Sequence, residues 1–170
     1  MINVIYLCLG SNIENRALNI ISAILFLQKS FFIDITNISS IYETSPVKIK
    51  KQRNFYNVVV KANTCLNPYQ LLSFIKYIEK YEFNRKEVFR FGPRIIDIDI
   101  LFFDEIIINS DILVIPHKEI HNRLFVLIPL NEIIPKNFIH PVLKKKVSDI
   151  LYNSLKTLKS QKVKIVKYEL

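Results

Sequence analysis

Apolar residues in this chain switch between a period of two and a period near 3.6, and the order of the switches leaves few folds open. Residues 2–9 are almost continuously apolar and predict a strand. Residues 14–30 carry Ala17, Ile20, Ile21, Ile24, Leu25 and Leu27 at helical spacing. Two strand-like runs follow, 33–44 and 54–64, joined by a lysine-rich loop over 46–53. Pro68 stands where a helix can begin without losing a needed backbone donor, and Leu71, Leu72, Ile75 and Ile78 give that helix an inward face to about Tyr81. A polar, arginine-bearing loop over 84–94 leads into a strand at 95–103. Beyond it the pattern predicts a short strand near 106–108, a loop through Pro116, and helices near 121–132 and 147–158.

Strand, helix, strand, strand, helix, strand is the order of an α+β, ferredoxin-like βαββαβ sandwich. An antiparallel sheet is expected with helices packed on it, and the later elements are C-terminal additions. Residues 1–170 read as a single domain, with no repeat or linker. No apolar run approaches the roughly 20 residues that cross a bilayer. The start, Met-Ile-Asn-Val-Ile-Tyr-Leu, lacks a basic region and reads as a first strand rather than a signal peptide. Cys8 and Cys65 lie far apart in apolar runs and are expected to be buried thiols. A cytoplasmic protein without membrane contact is the expectation.

The net charge of +9 does not by itself argue for a nucleic-acid partner. Its lysines are scattered through 48–51, 144–146 and the tail from 156 to 167, as on a solvated surface. Arginine is distributed differently. The chain has 18 lysines and six arginines, yet Arg85, Arg90 and Arg94 fall within ten residues. Such a concentration suits forked binding of phosphate or carboxylate.

Those arginines lead into Phe91-Gly-Pro-Arg-Ile-Ile-Asp-Ile-Asp-Ile100. On a strand Asp97 and Asp99 share a face, with carboxylates roughly 6–7 Å apart, close enough to share divalent cations. Gly92-Pro93 turns the chain and brings Arg94 beside them. A bare acid pair on a half-exposed strand is also ordinary surface, so both readings stand on this segment alone. Gly10, one of only two glycines, is expected to turn the chain from strand to helix, with Ser11 or Asn12 as the cap. Asn57 interrupts the apolar run Phe55–Val60, and a polar amide inside a sheet needs a partner. His117 and His121 have the spacing of a helical metal pair, but Pro116 places a turn before them and no third ligand is near, which favours a loop histidine on phosphate over zinc.

Five segments carry a family resemblance: Leu9-Gly10-Ser11-Asn12, Tyr42-Glu43-Thr44-Ser45-Pro46, Phe55-Tyr56-Asn57-Val58, Phe91-Gly92-Pro93-Arg94 with Asp97-Ile98-Asp99, and Pro116-His117 with Asn122-Arg123. In this order they resemble the 6-hydroxymethyl-7,8-dihydropterin pyrophosphokinases of folate biosynthesis, over about residues 2–142. The resemblance implies an ATP-dependent diphosphokinase that moves pyrophosphate from ATP to 6-hydroxymethyl-7,8-dihydropterin and releases AMP; a monomer is the expectation. It implies two Mg²⁺ ions on Asp97 and Asp99, with Arg94 and Arg85 also catalytic. The pterin would be held by Thr44, Ser45, Val47, Phe55, Asn57 and Phe125, and ATP by Glu79, Arg90, Phe91, Arg94, Ile100, His117 and Arg123. Taken singly, Phe55 and Phe125 also read as core and Glu79 as a solvated helix residue. The chain departs from the family pattern at Phe83-Asn84, where Gly-Arg is usual, at Phe91 in place of tryptophan, and at Ile112 and Val114 in place of polar residues. A basic nucleic-acid-binding module and a metal-dependent phosphohydrolase remain as alternative readings.

Overall fold

The computed structural model describes residues 2–47, 49–83 and 92–166. The expectations placed on Arg85, Arg90 and Phe91 lie outside the described residues. In chain order the elements are β1 (Asn3–Ser11), α1 (Arg16–Lys29), β2 (Ile33–Ile38), β3 (Tyr42–Thr44), β4 (Phe55–Thr64), α2 (Pro68–Tyr77), β5 (Asp97–Phe103), β6 (Ile108–Asn109), β7 (Val114–Ile115), α3 (Leu124–Ile133), α4 (Val147–Thr157) and β8 (Val163–Ile165). A π-helical turn, Ile78–Glu82, continues α2, and a 3-10 turn, Ile120–Asn122, precedes α3.

Six strands make one sheet in the order β5-β1-β4-β3-β8, with β2 also on β4. Every pairing is antiparallel. With β2 and β3 counted as one strand on β4, this is the expected ferredoxin-like arrangement. The run 33–44 forms two strands because its pairing slips against β4: Ile35 faces Ala62, Ile38 faces Val60 and Tyr42 faces Asn57. Ser39 sits at the slip. Its backbone N–H donates to the Val59 carbonyl (2.9 Å) and its hydroxyl accepts from Val59 N–H (3.0 Å), so the irregularity leaves that amide paired.

β1 is apolar at both alternations because both of its faces are covered. Ile5, Leu7 and Leu9 join Ile20, Ala23 and Leu27 of α1 and Leu71 and Ile75 of α2 in one core. Tyr6 and Cys8 join Val126, Leu127 and Leu130 of α3 and Val147 and Ile150 of α4 in the other. The C-terminal additions therefore supply a third layer. Fully burying a side chain of this size contributes about 1.5–3 kcal/mol.

Some local expectations are corrected. Gly10 lies inside β1 without positive φ, so it makes no turn, and α1 is capped by Asn15, whose side chain accepts from Leu18 N–H (3.1 Å), not by Ser11 or Asn12. Cys65 is exposed, since it follows β4 into the turn before α2; Cys8 is buried, and both are free. The helix expected to reach Tyr81 changes to π geometry after Tyr77. Among the described residues no helix is long and apolar enough to cross a membrane.

Candidate active site

Cross-strand register builds the floor of the site. Asp97 of β5 lies beside Gly10 of β1, Asp99 beside Cys8, and Gly10 has Asn57 of β4 on its other side. Both aspartates therefore project on the face that α3 and α4 cover elsewhere. Arg94 Nη1 meets Asp97 Oδ2 at 2.6 Å, and Arg123 Nη1 meets Asp99 Oδ2 at 3.3 Å. Burial, reinforced by the charge of Asp97, raises the Asp99 carboxyl to about 6 despite its arginine partner. Two carboxylates that repel each other in a half-buried cleft are a fitting place for a divalent cation. Among the described residues no third histidine, cysteine or acid completes a protein cage, so water and phosphate oxygens would have to fill the remaining positions, as suits Mg²⁺.

Arg94 is held from behind by Asn12. The Asn12 side-chain oxygen accepts from Arg94 N–H (2.8 Å), and Asn12 N–H donates to the Arg94 carbonyl (3.2 Å). The Asn12 amide nitrogen donates to Gln52 Oε1 (3.0 Å) and toward the Arg53 carbonyl (3.4 Å). One buried asparagine thus joins the turn bearing Arg94 to the loop bearing Gln52 and Arg53. Nothing local in the sequence signals this role.

A cavity of about 240 Å³ opens over this floor. Thr44, Ser45, Val47, Phe55, Asn57 and Phe125 all line it, together with Arg94, Asp97, Asp99 and Arg123. Cys8, Gly10, Pro46 and Gln52 line it too and were not anticipated. Asn57 donates from Nδ2 to Thr44 Oγ1 (2.7 Å), with both residues buried. A methyl group at position 10 would meet Asn57 Oδ1 at 2.8 Å, so glycine is there to let that amide lie across β1. Phe55 and Phe125 are half-buried and line the cavity; Phe125 also packs on the edge of the α3–α4 core. Burial drives the Cys8 thiol's pKa far up, leaving it an inert part of the floor.

A second cleft, about 270 Å³, adjoins the first and shares Asp99 with it. Ile98, Ile100, Ile112 and Val114 form an apolar wall, while Lys76, His117 and Lys118 supply polar groups. His117 Nδ1 accepts from Glu119 N–H (3.1 Å), and burial followed by the Arg123 charge lowers its pKa to about 4. The ring is neutral at pH 7 with its proton on Nε2, 3.9 Å from Asp99 Oδ2. Glu79 is not solvated. Its Oε1 accepts from Ile98 N–H (2.9 Å) and its Oε2 pairs with Lys76 Nζ (2.7 Å), so it braces β5 from beneath and steers Lys76. Lys76 was missed; its spacing of three from Glu79 on a helix was the available signal.

Residues 6–135 match the family described as 7,8-dihydro-6-hydroxymethylpterin-pyrophosphokinase (HPPK). The chain is 43% identical over 145 residues to a 2-amino-4-hydroxy-6-hydroxymethyldihydropteridine pyrophosphokinase of Aquifex aeolicus, covering 85% of this chain and 88% of that one. It is 47% identical over 141 residues to a folic acid synthesis protein of Dictyostelium discoideum, covering 83% of this chain but only 21% of that protein. Against a bifunctional protein of Lactococcus lactis the identity is 47% over 133 residues, 78% of this chain and 38% of that one, so the chain spans only part of these longer relatives. The fold is shared with the wild-type HPPK-DHPS of Plasmodium falciparum at a TM-score of 0.74 and 22% identity, over 94% of this chain and 44% of the other. A family match across three quarters of its length, and 43% identity to a relative covered almost throughout, place this chain in the 7,8-dihydro-6-hydroxymethylpterin-pyrophosphokinase family.

Proposed function

We propose that the protein transfers pyrophosphate from ATP to 6-hydroxymethyl-7,8-dihydropterin, giving AMP and the pterin pyrophosphate. The observation that carries this reading is the position of Asp99, which lines both clefts. A pterin in the first and a nucleotide in the second would meet over the carboxylate pair. The pterin is flat with an amide-like edge, which suits the faces of Phe55 and Phe125 and the buried amide of Asn57. Thr44 fixes which way that amide points, because its hydroxyl takes one of the Asn57 amide protons. Ser45 and Val47 complete the same wall.

The nucleotide would lie against Ile100 and the rest of the apolar wall, with its phosphates toward Lys76, His117 and Arg123. His117 would act there as a neutral donor from Nε2, not as a fixed cation. Arg94 and Arg123 are already charge-paired with the aspartates, and their remaining guanidinium protons would bond phosphate oxygens. AMP leaves carrying the α-phosphate and the bridging oxygen: the pterin hydroxyl oxygen bonds to the β-phosphorus as the bond from that phosphorus to the α–β bridging oxygen breaks, and the hydroxyl proton passes to water. Two Mg²⁺ ions, held by Asp97 and Asp99, would neutralise the triphosphate and lower the charge the leaving group must carry. Arg85 and Arg90 would add phosphate contacts, Phe91 would add an aromatic face to the nucleotide side, and Glu79 would act on the nucleotide through Lys76.

We read residues 1–170 as one domain acting as a cytoplasmic monomer; the two cores built on opposite faces of one sheet support the single unit. Product analysis tests the reaction. With ATP, Mg²⁺ and the pterin, AMP should form in step with pyrophosphorylated pterin. ADP as product, or AMP released without any pterin, would replace this reading with an ordinary kinase or a phosphohydrolase.

A further inference from the structure

The family match ends at residue 135, yet the chain continues through α4 and returns to the rim of the first cavity. There β8 adds to the sheet edge beside β3, with Thr44 facing Val163 and Tyr42 facing Ile165. Just before β8, Lys162 N–H donates to Ser45 Oγ (3.0 Å) and the Lys162 carbonyl accepts from Ser45 N–H (3.0 Å). The neighbouring residue, Gln161, turns its amide the other way. Its Oε1 accepts from Leu124 N–H (2.9 Å), and its Nε2 donates to the Asn122 carbonyl (2.8 Å).

These bonds grip the backbone on both sides of Arg123. They also satisfy the first N–H of α3, a helix that receives no side-chain cap from its own N-terminal residue. Phe125 follows one residue later. Consecutive residues of the tail therefore hold two segments that line the same cavity: Lys162 holds Ser45, and Gln161 holds the segment bearing Arg123 and Phe125. Gln161 is itself set by a turn, donating its N–H to the Leu158 carbonyl (3.0 Å).

We propose that Gln161 is a positioning residue for the first cavity, fixing Arg123 and Phe125 relative to the Thr44–Val47 wall. This rests on the reading of that cavity as the pterin site. A displacement of about 1 Å at a reacting group can lower rate by as much as a hundredfold, so the spacing of two walls held by one tail has kinetic consequences.

The test uses the full chain and its Gln161→Ala and Gln161→Glu variants. Pterin is titrated in the presence of Mg²⁺ and a non-hydrolysable ATP analogue, the analogue is titrated alone, and Tm is followed in parallel. Gln161→Ala should weaken pterin binding about tenfold, while analogue binding alone, which Arg123 also serves, falls by a smaller factor of about threefold. Gln161→Glu keeps the acceptor for Leu124 N–H and loses the donor to Asn122, so it should fall between wild type and alanine. It also provides the result if the alanine variant does not fold. A lowered Tm with unchanged pterin affinity, or equal losses for pterin and analogue, would overturn the proposal by making Gln161 a purely structural tie. Failure of wild type to bind pterin would instead remove the reading of the cavity, and the proposal with it.

Discussion

At the scale of single residues, the site depends on side chains that hold one another before any ligand arrives. Asn57 spends one amide proton on Thr44, and Gly10 leaves the space in which Asn57 Oδ1 lies. Gly10→Ala places a methyl group 2.8 Å from that oxygen, so Asn57 must move while the surrounding sheet is retained. Pterin affinity in a titration is expected to fall about tenfold or more, the scale of one misplaced buried hydrogen bond, with Tm lowered by about 2–4 °C per kcal/mol lost with the Asn57–Thr44 bond. Unchanged affinity would mean that Asn57 does not read the pterin edge. Asn57 was visible in the sequence as a polar residue inside an apolar run. The reason for Gly10 was not visible, because it depends on a side chain 47 positions away that only strand pairing brings alongside.

At the scale of elements, the chain beyond α3 tests how buried polar groups are kept satisfied. His140 precedes a tight turn in which its Nδ1 accepts from the N–H groups of Val142 and Leu143, both at 3.2 Å, and its ring packs edge-on to Phe102. Burial, then the charge of His121, lowers its pKa from 6.5 to about 4. The folded state therefore resists the proton that the unfolded chain accepts. This contribution to stability is complete above about pH 6.5 and declines as pH falls toward 4. Urea unfolding at pH 7.5 and pH 5 should show wild type losing about 1–3 kcal/mol more than His140→Asn, which keeps an acceptor and removes the titration. Equal pH dependence would place the proton elsewhere.

Elements with strong local periodicity were legible: α1, α2, β1, β4 and β5 lie close to where the apolar pattern puts them. What the pattern could not carry was the slip at Ser39, the π turn bearing Glu79, and β8, a three-residue strand inside a lysine-rich tail. Each exists because of a distant partner: Val59, the Ile98 amide and β3 respectively.

At the scale of the whole molecule, the sheet is buried on both faces, and the site occupies the part of one face that α3 and α4 leave open. Leu7 lies at the centre of the α1–α2 core with no exposed surface. Leu7→Ala should destabilise by about 2–5 kcal/mol in urea unfolding, and residual folded protein should still bind the pterin, since the site lies on the other face. The candidate site was legible where its chemistry is local, in the Asp97-Ile98-Asp99 strand and the polar break at Asn57. It was not legible where loops are joined across the fold, as Asn12 joins Gln52 and Arg94 and as Gln161 joins Asn122 and Leu124.

Product formation by Asp97→Ala and Asp99→Ala tests most directly whether the acid pair of the first cleft, joined to the second through Asp99, supports the reaction. With saturating ATP, Mg²⁺ and pterin, wild type should form AMP and pterin pyrophosphate in equal amounts. Each variant should lose at least a hundredfold in rate, the scale of removing a charge-stabilising group from a phosphoryl-transfer site, while remaining folded by circular dichroism. Near wild-type AMP formation by either variant would contradict the account.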